Sequence, residues 1–136
     1  MAKGSTTDHD FLLFALNGVT PSWAGNANVY VGLCNANPTA SGNQTTNETS
    51  YGSYARVAVA VGSGGWTVTG ATGSSAGTIT FPTCTSGSDV LTHIIVGTSA
   101  SGTGQILYFG PLSAPFSVSA GIQPVFDPTT LQITEA

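Results

Sequence analysis

A chain of 136 residues is long enough for one hydrophobic core and too short for two domains with cores of their own. Apolar residues make up 40% of it and charged residues only 6%, with Lys3 and Arg56 as the two cations against six acids and a formal charge of -4. Two cations cannot neutralise a row of phosphates, which excludes nucleic-acid binding through a basic patch. The mean hydropathy is slightly positive, unlike that of disordered chains. No apolar run approaches the ~20 residues of a membrane span. The polar N-terminus is a poor secretory signal, so synthesis without export is expected.

The first element is a short helix. Ser5, Thr6 and Thr7 offer N-cap oxygens, and Asp8 and Asp10 suit the positive end of the helix dipole. Phe11, Leu12, Phe14, Ala15 and Leu16 form an apolar stripe expected to dock on the rest of the molecule, and Asn17-Gly18 is a stop signal.

The pattern then becomes strand-like. Strands are expected at 28–34, 54–61, 66–69, 77–81, 90–96, 105–109, 115–118 and 131–134. Turn clusters at 63–65, 70–75, 85–88 and 99–104 separate several of them. This spacing predicts an all-β fold: an antiparallel β-sandwich with one short N-terminal α-helix. Val90–Val96, the most apolar run, belongs at the centre. Pro111, Pro115, Pro124 and Pro128 push the last third towards edges and irregular connections. Residues 1–136 read as a single domain with an N-terminal helical arm at 1–18. A long polar loop at 35–53 has little to bury and is expected to be functional or mobile.

The chemical inventory is small. Adjacent residues of Asp8-His9-Asp10 point in different directions on a helix, so they read as capping and a solvated first turn rather than a metal cluster. His93 reads as a hydrogen-bonded structural histidine. Gly73-Ser-Ser-Ala-Gly77 matches the nucleophile-elbow pattern but precedes a strand-like run where the elbow needs a helix, so it reads as a turn. Cys34 and Cys84 lie far apart, outside any metal-ligand spacing, and are expected as free buried thiols. No catalytic residue, metal ligand or cofactor is expected, and the chain is not expected to be an enzyme.

Arg56 has two readings. Its guanidinium can lock strand to loop by pairing with Glu48 or Asp89, or it can reach a neighbouring subunit. A surface of Ser, Thr, Asn, Gln and Gly is cheap to desolvate, and interface cores are poor in charge and rich in aromatics. Candidate protein-interface residues are Phe11, Phe14, Trp23, Tyr51, Tyr54, Arg56 and Trp66. The same mixture suits sugar binding by ring stacking.

Val29-Tyr-Val-Gly-Leu-Cys-Asn-Ala-Asn-Pro38, a polar loop containing Glu48, and Tyr51-Gly-Ser-Tyr-Ala-Arg-Val57 together resemble a family of small virion proteins of tailed bacteriophages. Its members often open with a short helix, then a "YVAL-x-x-x-DP" strand and turn, then a "GGGYAR" strand. Thr78-Ile-Thr-Phe-Pro82, Thr92-His-Ile94 and Ile106-Leu-Tyr-Phe-Gly-Pro-Leu112 extend the similarity over most of the chain. Asn37 stands where the family commonly has Asp, so no carboxylate is available there to pair with Arg56 or to bind a metal. The resemblance implies a jelly-roll-like sandwich and a non-enzymatic role in the virion, assembled in the host cytoplasm. The expected function is a capsid cement or decoration protein, a dimer or trimer bound to the major capsid protein, with the N-terminal segment and the 35–53 loop as contact surfaces. The alternative is a tail-fibre or head-fibre module that binds a host-surface glycan. Neither nucleic acid nor membrane is expected as a partner.

Overall fold

The computed structural model describes residues Met1–Glu135. In chain order it contains β1 (Ala2–Lys3), α1 (Ser5–Asn17), a 3-10 turn (Ser22–Gly25), β2 (Asn28–Cys34), β3 (Val57–Ala60), β4 (Trp66–Thr69), β5 (Thr72–Ser75), β6 (Ile79–Thr80), β7 (Ser88–Gly97), β8 (Ile106–Ser119), β9 (Val125–Phe126) and β10 (Gln132–Thr134). The fold is an all-β sandwich with a short N-terminal helix. A five-stranded sheet runs β1-β8-β7-β2-β3, a three-stranded sheet runs β10-β5-β4, and β6 pairs with β9. Every pairing is antiparallel. The apolar run 90–96 lies in β7, the central strand of the large sheet.

Alternation along β7 serves two cores. Ile94 and Val96 join Val31, Leu33, Leu91, Val118, Ile79, Phe81 and Leu131 in one buried cluster. Ile95 points the other way, into a second cluster with Cys34, Ile106 and Phe109, against which Ala40 packs. Phe81 anchors the first cluster. Its ring lies near-parallel to Tyr54 at 6.3 Å and edge-on to Phe126 at 5.9 Å.

The polar segment 35–53 is packed rather than loose. Pro38, Gln44, Thr49 and Tyr51 are buried, and a bridge between Cys34 and Glu48 continues the pairing along β2. Gln44 explains much of this order. Its side chain donates to the Ser99 carbonyl and accepts from the Ser99 amide, at 3.1 and 2.9 Å. Gly97 leaves the room, because a Cβ there would overlap the Gln44 side chain.

Several sequence expectations change. β3 begins at Val57 rather than at Tyr54. Residues 70–75 are not one turn: they hold a tight connection at Gly70–Ala71 and then β5. The prolines do not relegate the last third to the edges, since β8 is the longest strand and pairs with the central one. Pro111 and Pro115 are accommodated where the register slips, between Leu91↔Phe116 and His93↔Pro111. The helix cap also differs. Gly4 is the N-cap, and no side chain caps the helix. β1 brings the chain so close to β8 that a Cβ on residue 4 would collide with the Ile106 carbonyl.

Candidate interaction surface

The N-terminal arm is built on polar anchors. The amide of Ser5 donates to the Ala40 carbonyl at 2.7 Å. The buried Thr7 hydroxyl donates to the Ile106 carbonyl at 2.7 Å and accepts from Gln105 Nε2 at 3.0 Å. Asp10 accepts from Gln105 Nε2 and from Trp23 Nε1, both at 2.8 Å. These two hydrogen bonds, Gln105 first, hold its carboxyl below the usual carboxylate range. The 3-10 turn thereby folds back on α1, and Trp23 meets Phe11 at 5.6 Å between ring centroids.

The apolar stripe of α1 therefore does not dock on the sandwich. Leu12 is 59% exposed, Phe14 55% and Leu16 78%, with Phe11, Ala15 and Val19 also exposed. Polar side chains made the attachment, and the apolar face was left outward. Gly18, at φ 68°, ends the helix as its pattern predicts. No charged residue occurs from Phe11 to Asn28.

A clasp fixes the base of the arm. Lys3 Nζ reaches Glu135 Oε2 at 2.8 Å and Asp8 Oδ1 at 3.8 Å, and sits 5.3 Å from the Phe11 ring centre. The Tyr108 hydroxyl donates to Glu135 Oε1. Lys3, and then Tyr108, hold the Glu135 carboxyl below its ordinary range.

The other interface candidates lie elsewhere. Tyr51 is buried, and its hydroxyl donates to the Pro82 carbonyl at 2.7 Å. The Tyr54 hydroxyl accepts the Leu33 amide, beyond the Val31↔Val57 pair at which β3 begins, and donates to Glu48 at 2.8 Å. Arg56 is spent internally on Glu48, Ser99 and Gly102. Of the two partners proposed for it, Glu48 is the one used. Asp89 instead accepts from Asn35 and Thr49. Trp66 lines an apolar groove of about 280 Å³ with Val29, Val68, Leu107, Tyr108 and Ile133. Phe11, Phe14 and Trp23 are thus the candidates brought together on one projecting feature. Leu12 and Leu16 were not singled out, although their i, i+4 spacing marks a stripe.

The remaining candidate groups are buried or hydrogen-bonded within the fold. Both cysteines are free and buried. Burial pushes the Cys34 thiol up to about 12, far from a reactive thiolate at neutral pH. His93 Nδ1 bonds the Thr92 hydroxyl at 2.8 Å. Ser75, the central serine of the elbow-like match, is fully buried and ends β5, with β6 rather than a helix ahead of it. Among the described residues no group of three His, Cys, Asp or Glu could hold a metal ion. No helix among them is long and apolar enough to cross a membrane.

What this sandwich presents outward is an apolar helix face and a skin of mostly uncharged polar residues. Comparison with known families gives its class: it is a structural protein of a bacteriophage virion. Residues 5–134 match the family model described as "Podophage GP4 fiber I protein gp80", and the chain belongs to that family. No curated protein matches it.

Proposed function

We propose that this protein is a decoration subunit of the phage head. The Phe11–Phe14–Trp23 side of its arm seats it on the outer face of the major capsid protein lattice, with the sandwich projecting from the surface. The observation that carries this reading is the outward apolar face of α1, which a monomer in water gains nothing by exposing. Many copies on a repeating lattice would stabilise the shell through avidity even if each contact is modest. The role is architectural, with no catalytic step and no cofactor. The test is co-sedimentation of purified protein with heads that lack it. Saturable binding at a fixed ratio to capsid subunits, lost in Phe14→Ser, supports the reading. Heads that retain nothing, or retain the variant equally well, overturn it.

A second reading rests on the Trp66 groove and on the word "fiber" in the family description. In it the sandwich binds a host-surface glycan, with Trp66 as the stacking ring. Trp23 suits this less well, because its ring and Nε1 are engaged by Phe11 and Asp10. Binding to host cells that disappears in Trp66→Ala supports the glycan reading. Absence of cell binding rejects it.

A further inference from the structure

The loop between β7 and β8, residues 98–105, reads Thr-Ser-Ala-Ser-Gly-Thr-Gly-Gln. It carries no large apolar side chain, and residues 100–103 are exposed, so its shape is imposed from outside. The Gln44 side chain brackets Ser99, accepting from its amide at 2.9 Å and donating to its carbonyl at 3.1 Å. The Gln44 amide donates to the Thr103 carbonyl at 2.7 Å. Arg56, held by Glu48, donates to the carbonyls of Ser99 and Gly102. The fit is close enough that a Cβ on Gly104 would overlap Gln44 Oε1. The far end of this loop meets the arm. Gln105 closes the loop base on Thr98, its amide donating to Thr98 Oγ1 at 3.0 Å and its carbonyl accepting the Thr98 amide at 3.1 Å. Its side chain then donates from Nε2 to both Thr7 and Asp10, and Asp10 in turn holds Trp23.

We propose that the 98–105 loop is a relay that couples the 35–53 segment to the N-terminal arm, with Gln105 as the positioning residue at its end. The chain of contacts is continuous. Gln44 and the Glu48–Arg56 pair fix the loop, the loop fixes the Gln105 backbone, and Gln105 Nε2 fixes Thr7, Asp10 and, through Asp10, Trp23. Coupling requires an element with two arrangements that both ends bias. Here one is the docked arm. In the other the arm is released, and Gln105, Asp10 and Trp23, all partly exposed, bond to water. Exchanging these hydrogen bonds for bonds to water changes the free energy little. The buried side chain of α1 is the polar Thr7, so little apolar burial opposes release. A partner that favours the ordered 35–53 segment therefore favours the docked arm, and by linkage the converse holds with the same coupling free energy. The relay is a property of the fold and stands whether or not the arm meets the capsid.

The test is the indole N–H resonance of Trp23 in nitrogen–proton correlation spectra of the isotope-labelled full chain, assigned with Trp23→Phe. Its position in the folded protein reports the bond to Asp10, whatever the global stability. Gln105→Ala cuts the relay and is expected to move the resonance upfield. Gln44→Ala, whose lost side-chain hydrogen bonds are to Ser99, is expected to move it the same way by a smaller amount. In the Gln105→Ala background it is expected to add nothing. Thr98→Val loosens the loop base alone and is expected to act like Gln44→Ala, so the question stays decidable if Gln44→Ala does not fold. A Trp23 resonance that keeps its wild-type position in Gln105→Ala, in folded Gln44→Ala or in Thr98→Val overturns the relay. An equal shift by Gln44→Ala in both backgrounds overturns it too, and assigns the coupling to the direct bond from the Ser5 amide to the Ala40 carbonyl.

Discussion

Arg56 and Glu48 meet in a two-point fork, Nε to Oε2 at 2.7 Å and Nη2 to Oε1 at 2.8 Å, with side chains only 3% and 14% exposed. The same guanidinium donates to the carbonyls of Ser99 and Gly102 at 2.9 and 2.7 Å. One residue thus ties the 35–53 segment to the loop between β7 and β8. It also helps hold the Glu48 carboxylate where the Tyr54 hydroxyl reaches it.

Removing one partner of a buried pair strands the other charge. Arg56→Met is expected to cost about 3–5 kcal/mol, a large share of an ordinary domain's stability. Arg56→Lys should also destabilise, because an ammonium cannot span both carboxylate oxygens and two carbonyls. The double variant Arg56→Met, Glu48→Leu should recover much of the loss. Urea unfolding decides: a midpoint for Arg56→Met equal to the wild type's would refute the lock.

Gln44 is a buried plug between two loops. Gln44→Ala leaves the Ser99 amide without its partner, leaves the Ser99 carbonyl with Arg56 as its remaining side-chain donor, and opens space beside Gly97. A loss of about 2–3 kcal/mol is expected. The local signature is faster hydrogen exchange at the Ser99 amide, and unchanged exchange there would sink the assignment.

The clasp at the base of the arm is pH-dependent. The Glu135 pKa is depressed in the folded chain, chiefly by Lys3. The stabilisation it contributes is therefore present above the unfolded carboxyl value, about 4.3, and is lost as pH falls through the lower folded value. Melting temperature followed from pH 7 to pH 3 should drop more for the wild type than for Glu135→Gln. Parallel curves would show that the clasp contributes nothing. The side chain is 39% exposed, so the difference is expected to be small and to shrink in salt.

Phe81 is fully buried at the junction of the Tyr54 and Phe126 rings. Phe81→Ala is expected to cost about 3–5 kcal/mol through lost burial and a residual cavity. Phe81→Leu should cost less than Phe81→Ala. Thermal or urea unfolding checks the order, and equal losses for the two would argue against a packed ring stack.

The reading of α1 shows where local pattern stops. The stretch from Ser5 to Asn17 was legible as a helix from Phe11 to Leu16 and the Gly18 stop. The direction its apolar side would face was not, because Thr7 and Asp10 attach it to Gln105 and Ile106, nearly a hundred residues away. Segment 35–53 misled for the same reason. Its composition offers little to bury, yet Gln44 finds Ser99 and Thr49 finds Asp89 across the fold. In β8, Pro111 and Pro115 signal interruption. That the interruption is a register slip within one long strand emerges only from its pairing with β7. The Glu48 partnership of Arg56 was one of two readings the residues allowed, and only folded distance chose between them.

Local period and composition were sufficient for an all-β chain with one early helix, a central strand at 90–96, and a balance of two cations against six acids. They were sufficient because strand and helix periods, turn residues and net charge are properties of neighbours along the chain. Which face of α1 meets solvent, how the strands are ordered, and whether Tyr51, Tyr54 and Arg56 lie inside or out depend on partners brought together from distant positions. A period of two or of 3.6 carries no information about which distant backbone group will be the neighbour, so the exposed Leu12–Leu16 stripe appeared only once the polar anchors of the arm were in place.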